Sequence, residues 1–184
     1  MGDPTPSDAD LHIRVIAEDE TALVLIDSRY QALVTGWARK YGLAPSEAEA
    51  AWNVALLSFW DNAAALNPVG CVKPYIFKVM RNKVADYYRS EDTLMHTKDV
   101  NDIPATSVAP LHPPSVETDL TPKLQQCLDQ LTTNHRQAVD LVVLHGMMVK
   151  DAADVIGAPP NTVSKWTSRG LEQLRKCVED DDER

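Results

Sequence analysis

The stretch VKDAADVIGAPPNTVSKWTSRGLEQL, residues 149–174, decides the fold of its part of the chain. Apolar residues recur at helical spacing on both sides of a break at Gly157 and Pro159-Pro160. The pattern predicts a short helix from Val149 to Ile156 and a longer helix after the prolines. Whether Pro160 is the first helical residue or Asn161 is the cap stays open at this stage. A short helix, a tight turn with glycine and a longer basic helix indicate a helix-turn-helix.

The second helix of this pair has an apolar side and a polar side. Its expected inward positions are Val163, Trp166 or Thr167, Gly170, Leu171, Leu174 and Val178. Its expected outward positions near the helix start are Thr162, Ser164, Lys165, Ser168 and Arg169. These residue types donate hydrogen bonds to base edges and phosphates, and the helix N-terminus favours phosphate. The polar side is therefore either a major-groove recognition surface or an ordinary solvated face.

The sequence before this pair also shows helical periodicity. Helices are expected over residues 122–131 and 134–145, the second of which buries Ala138, Leu141, Val142 and Leu144. Nearer the N-terminus, one helix is expected over Thr21–Tyr41, a second from Pro45-Ser46 with Ser46 as its N-cap, and a third over Pro74–Arg89. The predicted fold class is all-α.

Each of the three N-terminal helices has one apolar face, so together they can form a small bundle. The apolar residues are Leu23, Ile26, Tyr30, Leu33, Trp37 and Tyr41 in the first; Ala48, Ala51, Trp52, Ala55, Leu56 and Phe59 in the second; and Ile76, Val79, Met80, Val84 and Tyr87 in the third. Residues 91–120 lack such a period and contain Pro104, Pro110, Pro113 and Pro114. They are predicted to be a flexible, acidic linker between two small helical domains.

The charge is distributed unevenly along the chain, although the formal net charge is −9. Residues 72–90 carry five basic residues against one acid, and residues 159–178 carry four basic residues against one acid. Acidic segments surround these two basic islands. A net negative charge alone disfavours binding to nucleic acid, whereas the two islands favour it.

Several function classes are disfavoured by the composition. The sequence contains no apolar run of about 18–20 residues that could cross a bilayer, and its acidic start is unlike a secretory signal. Cys71, Cys127 and Cys177 lie far apart, which argues against a disulfide framework or structural zinc and favours unpaired thiols in a cytoplasmic protein. The five histidines are scattered, and no nucleophile, phosphate loop or metal-ligand spacing is visible. We expect the protein to have no enzymatic activity and to bind neither a cofactor nor a metal ion.

Three groups of residues resemble the extracytoplasmic-function (ECF) sigma factors. Region 4 of that family is similar to the part of this chain that contains Leu131, Arg136, Gly146, Ala153, Gly157, Thr162-Val163, Arg169 and Leu174-Arg175. Region 2.3/2.4 is similar to residues 75–82 (YIFKVMRN) with Asp86 and Arg89. Region 2.2 is similar to the stretch that contains Glu47, Glu49, Asn53 and Phe59-Trp60. The order of the regions and the intervening linker of about 30 residues also match the family.

This resemblance implies three sets of binding residues. Core RNA polymerase would be contacted by Glu47, Glu49 and Asn53, although Glu47 and Glu49 could instead only complement the helix dipole. The −10 promoter strand would be melted and held by Asn67, Lys73, Lys78, Arg81, Asn82 and Arg89. The −35 element would be read by Thr162, Ser164, Lys165, Ser168 and Arg169.

Some residues in these regions have simpler interpretations. Tyr75 stands where the family often has tryptophan and is expected to pack in the core rather than stack on a base. Asp86 and Arg89 could form a surface ion pair. The linker acids Asp92, Asp99 and Asp102 could mimic nucleic acid or belong to a solvated tether.

The resemblance divides the chain into an acidic N-terminal segment (1–20), a region 2-like domain (21–90), a linker (91–120), a region 4-like domain (121–178) and an acidic tail (179–184). It implies an alternative sigma factor without membrane insertion, which binds core RNA polymerase and promoter DNA and is regulated by an anti-sigma factor. The alternative is a sigma-like decoy that occupies an anti-sigma factor without initiating transcription. A plain helix-turn-helix repressor would leave residues 20–90 unexplained.

Overall fold

The computed structural model describes residues 5–67, 69–95 and 122–179, and within these ranges the secondary structure is helical throughout. The α-helices are α1 (Asp8–Ile16), α2 (Glu20–Lys40), α3 (Pro45–Asn62), α4 (Val72–Met95), α5 (Pro122–Asp129), α6 (Thr133–Val139), α7 (Val149–Ile156) and α8 (Pro160–Glu179). A 3-10 turn (Ala63–Ala65) follows α3, and a π turn (Asp140–Leu144) follows α6. The chain divides into two compact units, Met1–Tyr87 and Tyr88–Arg184. The all-α prediction is confirmed.

The first unit buries aromatic and aliphatic side chains from α2, α3 and α4. The largest of these are Trp52, Phe59, Phe77, Ile26, Ile76 and Met80, all fully buried. The Trp52 indole N–H donates to a carboxylate oxygen of Asp27 at 2.7 Å, which satisfies its polar atom at the edge of the core. The apolar faces predicted for these helices thus meet in one core. Phe77 is also part of this core, although it was not predicted to be buried.

Helix α1 was not predicted, because the acidic composition of residues 1–20 hides its short apolar face. Ser7 caps it: its hydroxyl accepts from the Asp10 backbone N–H at 3.2 Å, and the Asp10 carboxylate accepts from the Ser7 hydroxyl and backbone N–H. These hydrogen bonds lower the pKa of Asp10. Leu11, His12 and Val15 are buried. The predicted N-terminal segment therefore contains a helix that is part of the first unit.

The start of α3 differs from the prediction that Ser46 is its N-cap. The helix begins at Pro45, a position that suits proline because the first helical N–H has no partner within the helix. The Glu47 carboxylate accepts from the Ala44 backbone N–H at 2.9 Å. The helix end is therefore stabilised by Glu47 and Pro45, and Ser46 is exposed on the first turn.

The second unit packs α5, α6 and α7 against α8. The Arg136 guanidinium of α6 donates to the Asp129 carboxylate of α5 at 2.6 Å. At the other side, Gly157 ends α7 in the left-handed conformation, with φ of 76°. Helix α8 then begins at Pro160, so proline is its first helical residue.

The prediction of three unpaired cysteines is wrong for two of them. Cys127 of α5 and Cys177 of α8 form a disulfide with a Cα–Cα distance of 5.9 Å, and Cys71 takes no part in a disulfide. The two partners are 50 residues apart in sequence, so only the packing of α8 against α5 brings them together. Cys127 lies in a cluster with Leu128, Leu131, Val139 and Leu174.

Three residues predicted to be buried are exposed: Leu33, Leu144 and Leu171. Leu33 lies on the same side of α2 as Ile26, but no described element covers it. Leu144 lies in the π turn, which rotates successive side chains less than an α-helix does and so carries it off the buried face. Leu171 lies at the margin of the buried arc of α8, which is centred on Val163, Thr167, Gly170 and Leu174.

The predicted linker and tail fall mostly outside the described residues. Helix α4 extends to Met95, beyond the predicted linker start at residue 91. Asp99 and Asp102 lie outside the described residues, as do residues 180–184 of the predicted acidic tail.

Candidate nucleic-acid interface

The polar side of α8 faces away from the core of the second unit. Ser164, Lys165, Ser168 and Arg169 are exposed, and Thr162 is half-buried. At 100° per residue these five positions cover one continuous arc, opposite the buried arc of Val163, Thr167, Gly170 and Leu174. The Thr167 hydroxyl is used within the helix, where it donates to the Val163 carbonyl at 2.9 Å. The structure therefore brings the five predicted −35 residues onto one surface, with Thr167 facing the core.

Helix α8 is held close to α6 at Gly170. A Cβ atom at this position would lie 2.7 Å from Val139 Cγ2 and 3.3 Å from the His135 carbonyl oxygen. On the same side, His135 Nδ1 lies 3.0 Å from Gln173 Oε1. These contacts position the exposed arc, because Arg169 directly precedes Gly170 in the helix.

A second basic surface lies along α4, whose residues up to Tyr87 belong to the first unit. Lys78, Asn82 and Arg89 are exposed and Arg81 is half-buried. Their spacing of three, four and seven residues places all four on one side of the helix. The core of the unit supports the opposite side through Ile76, Met80 and Val84. The structure thus brings together four of the six residues predicted to contact the −10 strand.

The other two predicted −10 residues lie before this stripe. Asn67 is exposed in the loop that leads into α4, whereas Lys73 is half-buried in its first turn. Burial lowers the pKa of the Lys73 ammonium group, and the carboxylate of Asp8 on α1 acts in the opposite direction. Lys73 is therefore associated with α1 and lies about 140° around α4 from Lys78.

Tyr75 packs within the first unit, as expected. Its hydroxyl lies 2.7 Å from the Ser58 hydroxyl, and its ring meets the edge of Phe59 at a centroid distance of 5.7 Å. These contacts connect α4 with the end of α3. They leave the side chain half-buried rather than free to stack on a base.

The residues predicted to contact the polymerase lie on the surface of α3. Glu47, Glu49 and Asn53 are all exposed. Glu47 also stabilises the helix start, as described above, so both of its predicted roles are compatible with its position. Glu49 and Asn53 are four residues apart and are followed on the same side by Leu57, which is 60% exposed. Val54 is also exposed, at 47%. These two exposed apolar residues are not among the predicted polymerase contacts, which are all polar positions of the family motif.

Exposed apolar side chains also occur in the second unit. Val143, Leu144 and Met148 lie between α6 and α7, and Met148 is 70% exposed. They lie on the π turn and the residues after it rather than on the polar arc of α8. In the described ranges, no group of three or more metal-ligating side chains could hold a metal ion. No helix there has the length and apolar character that crossing a membrane requires.

Two family models match the chain, in the order in which the two basic surfaces occur. Sigma-70 region 2 matches residues 26–93, and Sigma-70, region 4 matches residues 122–174. Together they cover more than half of the 184 residues. Each match contains one of the basic surfaces described above.

Two relatives match the chain over nearly its whole length. It is 25% identical over 181 residues to the ECF RNA polymerase sigma factor SigK of Mycolicibacterium vanbaalenii, covering 94% of this chain and 90% of the relative. It is 24% identical over 183 residues to the RNA polymerase sigma factor NccH of Alcaligenes xylosoxydans xylosoxydans, covering 97% and 98%.

Two solved structures share the fold. One is CnrH in complex with the cytosolic domain of CnrY, with a TM-score of 0.63 and 17% identity over 96% of this chain and 99% of that one. The other is the sigma factor RpoE in complex with the anti-sigma factor NepR from Bartonella quintana, with a TM-score of 0.60 and 18% identity over 88% and 97%.

Proposed function

The chain belongs to the sigma-70 family, in its ECF group, and from this membership we propose that it binds core RNA polymerase and directs promoter recognition and transcription initiation. The observation that carries the proposal is the presence of two exposed basic helix surfaces in the order region 2, then region 4. One lies along α4 and the other on the first turns of α8. A sigma factor requires both, because it contacts two separate promoter elements.

The exposed side of α3 is the proposed contact with core RNA polymerase. Glu49, Asn53 and Leu57 form a stripe of mixed polar and apolar character, with Val54 beside it. Exposed apolar side chains next to polar groups are typical of protein interaction surfaces rather than of solvated helix faces. This supports a protein partner on α3, separate from the basic stripe of α4.

Replacing Asn53 or Glu49 with alanine is expected to weaken binding to core RNA polymerase. Truncating an important interface side chain costs about 1 kcal/mol or more, which corresponds to a roughly fivefold increase in Kd. The measurement is a titration of labelled protein with bacterial core polymerase, supported by co-elution in gel filtration. Asn62→Ala is the matched control, because Asn62 is an exposed residue of the same helix about two and a half turns farther along.

Either of two results would contradict this assignment. Equal weakening by Asn62→Ala would mean that α3 is only damaged as a helix. A folded wild-type protein that does not bind core polymerase, but does bind an anti-sigma factor, would instead support the sigma-like decoy.

The −10 strand is proposed to follow the stripe formed by Lys78, Arg81, Asn82 and Arg89. Melting a promoter exposes a single strand whose phosphates need compensating charge, and whose unstacking costs a few kcal/mol. Cationic and amide side chains on one side of a helix supply that compensation along a continuous path. Asn67 belongs to the loop at the start of this path, and Lys73 is proposed to act near the loop rather than on the stripe.

The exposed arc of α8 is proposed to read the −35 element in the major groove. Ser164 and Trp166 stand where basic residues are common in the family, so Lys165 and Arg169 supply the cationic groups of this arc. Removing one phosphate contact lowers the slope of log affinity against log salt by about 1. We expect this reduction, with weaker −35 dependence, for Lys165→Ala and for Arg169→Ala in the holoenzyme.

The control for this experiment is Lys176→Ala. Lys176 is an exposed lysine about two turns beyond Arg169 in the same helix, where it pairs with Glu172 at 3.0 Å, outside the first turns of α8 that are proposed to enter the groove. Promoter binding measured from about 50 to 200 mM salt should retain the wild-type slope for this variant. An unchanged slope for both Lys165→Ala and Arg169→Ala would show that the exposed arc of α8 does not contact the promoter.

An anti-sigma factor is the proposed regulatory partner. One structural relative was solved with the anti-sigma factor NepR, and the other was solved with the cytosolic domain of CnrY. The protein would act as a transcription regulator in the cytoplasm, where the polymerase is, and would perform no covalent chemistry itself. The proposed domain limits are residues 21–90 for region 2 and 121–178 for region 4.

A further inference from the structure

A buried histidine of α1 connects the two ends of the loop that precedes α4. His12 is fully buried, and its two ring nitrogens form hydrogen bonds with backbone groups of residues more than 50 positions away in the sequence. Its Nε2 lies 2.8 Å from the Ala63 carbonyl oxygen, at the end of α3. Its Nδ1 lies 2.9 Å from the backbone nitrogen of Gly70, just before α4. The side chain thus bridges the segment that contains Asn67.

The hydrogen bonds define the tautomer of this ring. The Gly70 N–H is a donor, so Nδ1 must be the acceptor. A neutral imidazole carries its one proton on the other nitrogen, and Nε2–H therefore donates to the Ala63 carbonyl. Each ring nitrogen has a specific partner at one end of the loop. Removal of either function leaves a buried polar group without its partner.

Further contacts fix α1 against the loop and the core. The conformation of Gly70, with φ of +93°, brings its Cα so close to α1 that an added Cβ would lie 3.4 Å from the Ala9 backbone. The His12 ring packs against Phe59 at a centroid distance of 5.2 Å. Asp8, four residues before His12, accepts from Arg29 at 2.8 Å and from the Tyr30 hydroxyl. Helix α1 is therefore fastened to α2 on one side and to the loop on the other.

Two described residues of the loop, Asn67 and Val69, have outward-facing side chains. Asn67 is exposed and Val69 is 49% exposed, whereas Ala63 at the loop start is buried. A loop with an anchored base and exposed side chains is suited to hold an extruded base, because less conformational freedom is lost on binding. The anchor comes from outside the two helices that the loop connects.

We propose that His12 is a positioning residue for promoter melting: by accepting from the Gly70 N–H it fixes the end of the Asn67-containing loop next to α4 in the conformation that captures the −10 strand. This inference rests on the proposed function. It assigns to α1 a role in promoter opening that requires no contact between α1 and DNA.

Two substitutions separate the two functions of the ring. In His12→Asn, the amide oxygen occupies the place of Nδ1 and can accept from Gly70, but the bond to Ala63 is lost. In His12→Gln, the amide nitrogen occupies the place of Nε2 and can donate to Ala63, but the acceptor for Gly70 is lost. Each variant loses one buried hydrogen bond, so a purely structural role predicts equal loss of thermal stability and equal loss of activity.

The experiment uses holoenzyme assembled from bacterial core RNA polymerase and the full-length chain. A duplex library randomised over the −35 and −10 elements is transcribed with the wild type to select an active promoter. That promoter is then offered as a duplex and as a template with a pre-opened −10 segment. On the duplex we expect His12→Gln to reduce open-complex formation about tenfold, because the loop loses the acceptor that fixes its Gly70 end. His12→Asn keeps the bond to Gly70 and should remain within about twofold of the wild type, because Ala63 is also held in the 3-10 turn that follows α3.

The pre-opened template provides a second readout. We expect His12→Gln to lose less activity there than on the duplex, and all variants to bind core polymerase equally. Gly70→Ala, which strains a left-handed backbone position next to Ala9, should reproduce the His12→Gln defect by another route. Equal defects of His12→Asn and His12→Gln, or no defect in either, would overturn the inference while leaving the proposed function intact. A wild-type holoenzyme that yields no transcript from the library would overturn both.

Discussion

Replacing Cys177 with alanine is expected to destabilise the second unit by about 4 kcal/mol. The disulfide with Cys127 closes a loop of 50 residues, which contains α6, α7 and most of α8. Cross-linking a loop of this length lowers the conformational entropy of the unfolded chain, and that effect is lost when the bond is removed. The remaining Cys127 thiol is buried among apolar side chains and packs there as a small hydrophobic group.

The measurement is urea unfolding of the full-length protein, followed by hydrogen exchange of peptides from residues 122–179. We expect the midpoint for these peptides to fall by about 2 M or more. Reductant should shift the wild type in the same direction. Cys71→Ala is the control, because Cys71 is half-buried in the first unit and takes no part in the disulfide. Equal midpoints for Cys177→Ala and the wild type would show that the disulfide contributes nothing to stability in solution.

Gly170→Ala is expected to destabilise the second unit by about 1–3 kcal/mol, the usual cost of overpacking a tight contact. The new Cβ would approach Val139 Cγ2 to 2.7 Å and the His135 carbonyl oxygen to 3.3 Å. Val139 cannot easily turn aside, because β-branched side chains in helices have one strongly preferred rotamer. The carbonyl belongs to the backbone of α6 and can move only with the helix. These contacts outweigh the advantage of about 1 kcal/mol that alanine normally has over glycine in a helix.

Gly36→Ala is the matched control, and it should change the free energy of unfolding in the opposite direction. Gly36 lies within α2, and a Cβ there would meet no other atom within 4 Å. The substitution is therefore expected to stabilise the first unit by about 0.5–1 kcal/mol. Urea unfolding read separately for the two units measures both effects. A shift of the same sign for both variants would show that helix propensity, rather than contact at Gly170, decides the result.

Helix positions and the two exposed basic surfaces were predictable from the sequence because they depend on short-range periodicity. The buried and exposed positions of α8 follow from the rotation of 100° per residue, which places Lys165 and Arg169 opposite Val163. The same reasoning located the α4 stripe from Lys78 to Arg89. It also identified Tyr75 as a packed residue. The end of α7 at Gly157 followed from the preference of glycine for the left-handed conformation.

Exposure of residues at the margins was less predictable, since it depends on which element covers a given face. Leu33 shares a side of α2 with Ile26, yet it is 38% exposed, whereas Ile26 is fully buried. Leu144 was wrongly predicted to be buried, because the π turn changes the rotation per residue. The spacing of the apolar residues does not indicate such a turn. In both cases the local pattern is compatible with burial and the neighbouring elements decide otherwise.

The sequence by itself determined the all-α fold, the helix-turn-helix and the two basic surfaces, because each arises from residues within one or two turns of one another. The tertiary structure alone decided the Cys127–Cys177 pairing and the role of His12. The disulfide partners are 50 residues apart, and His12 meets Gly70 across 58 residues. Contacts at such separations depend on how the chain returns on itself, and no periodicity in the sequence encodes which residue will be opposite which.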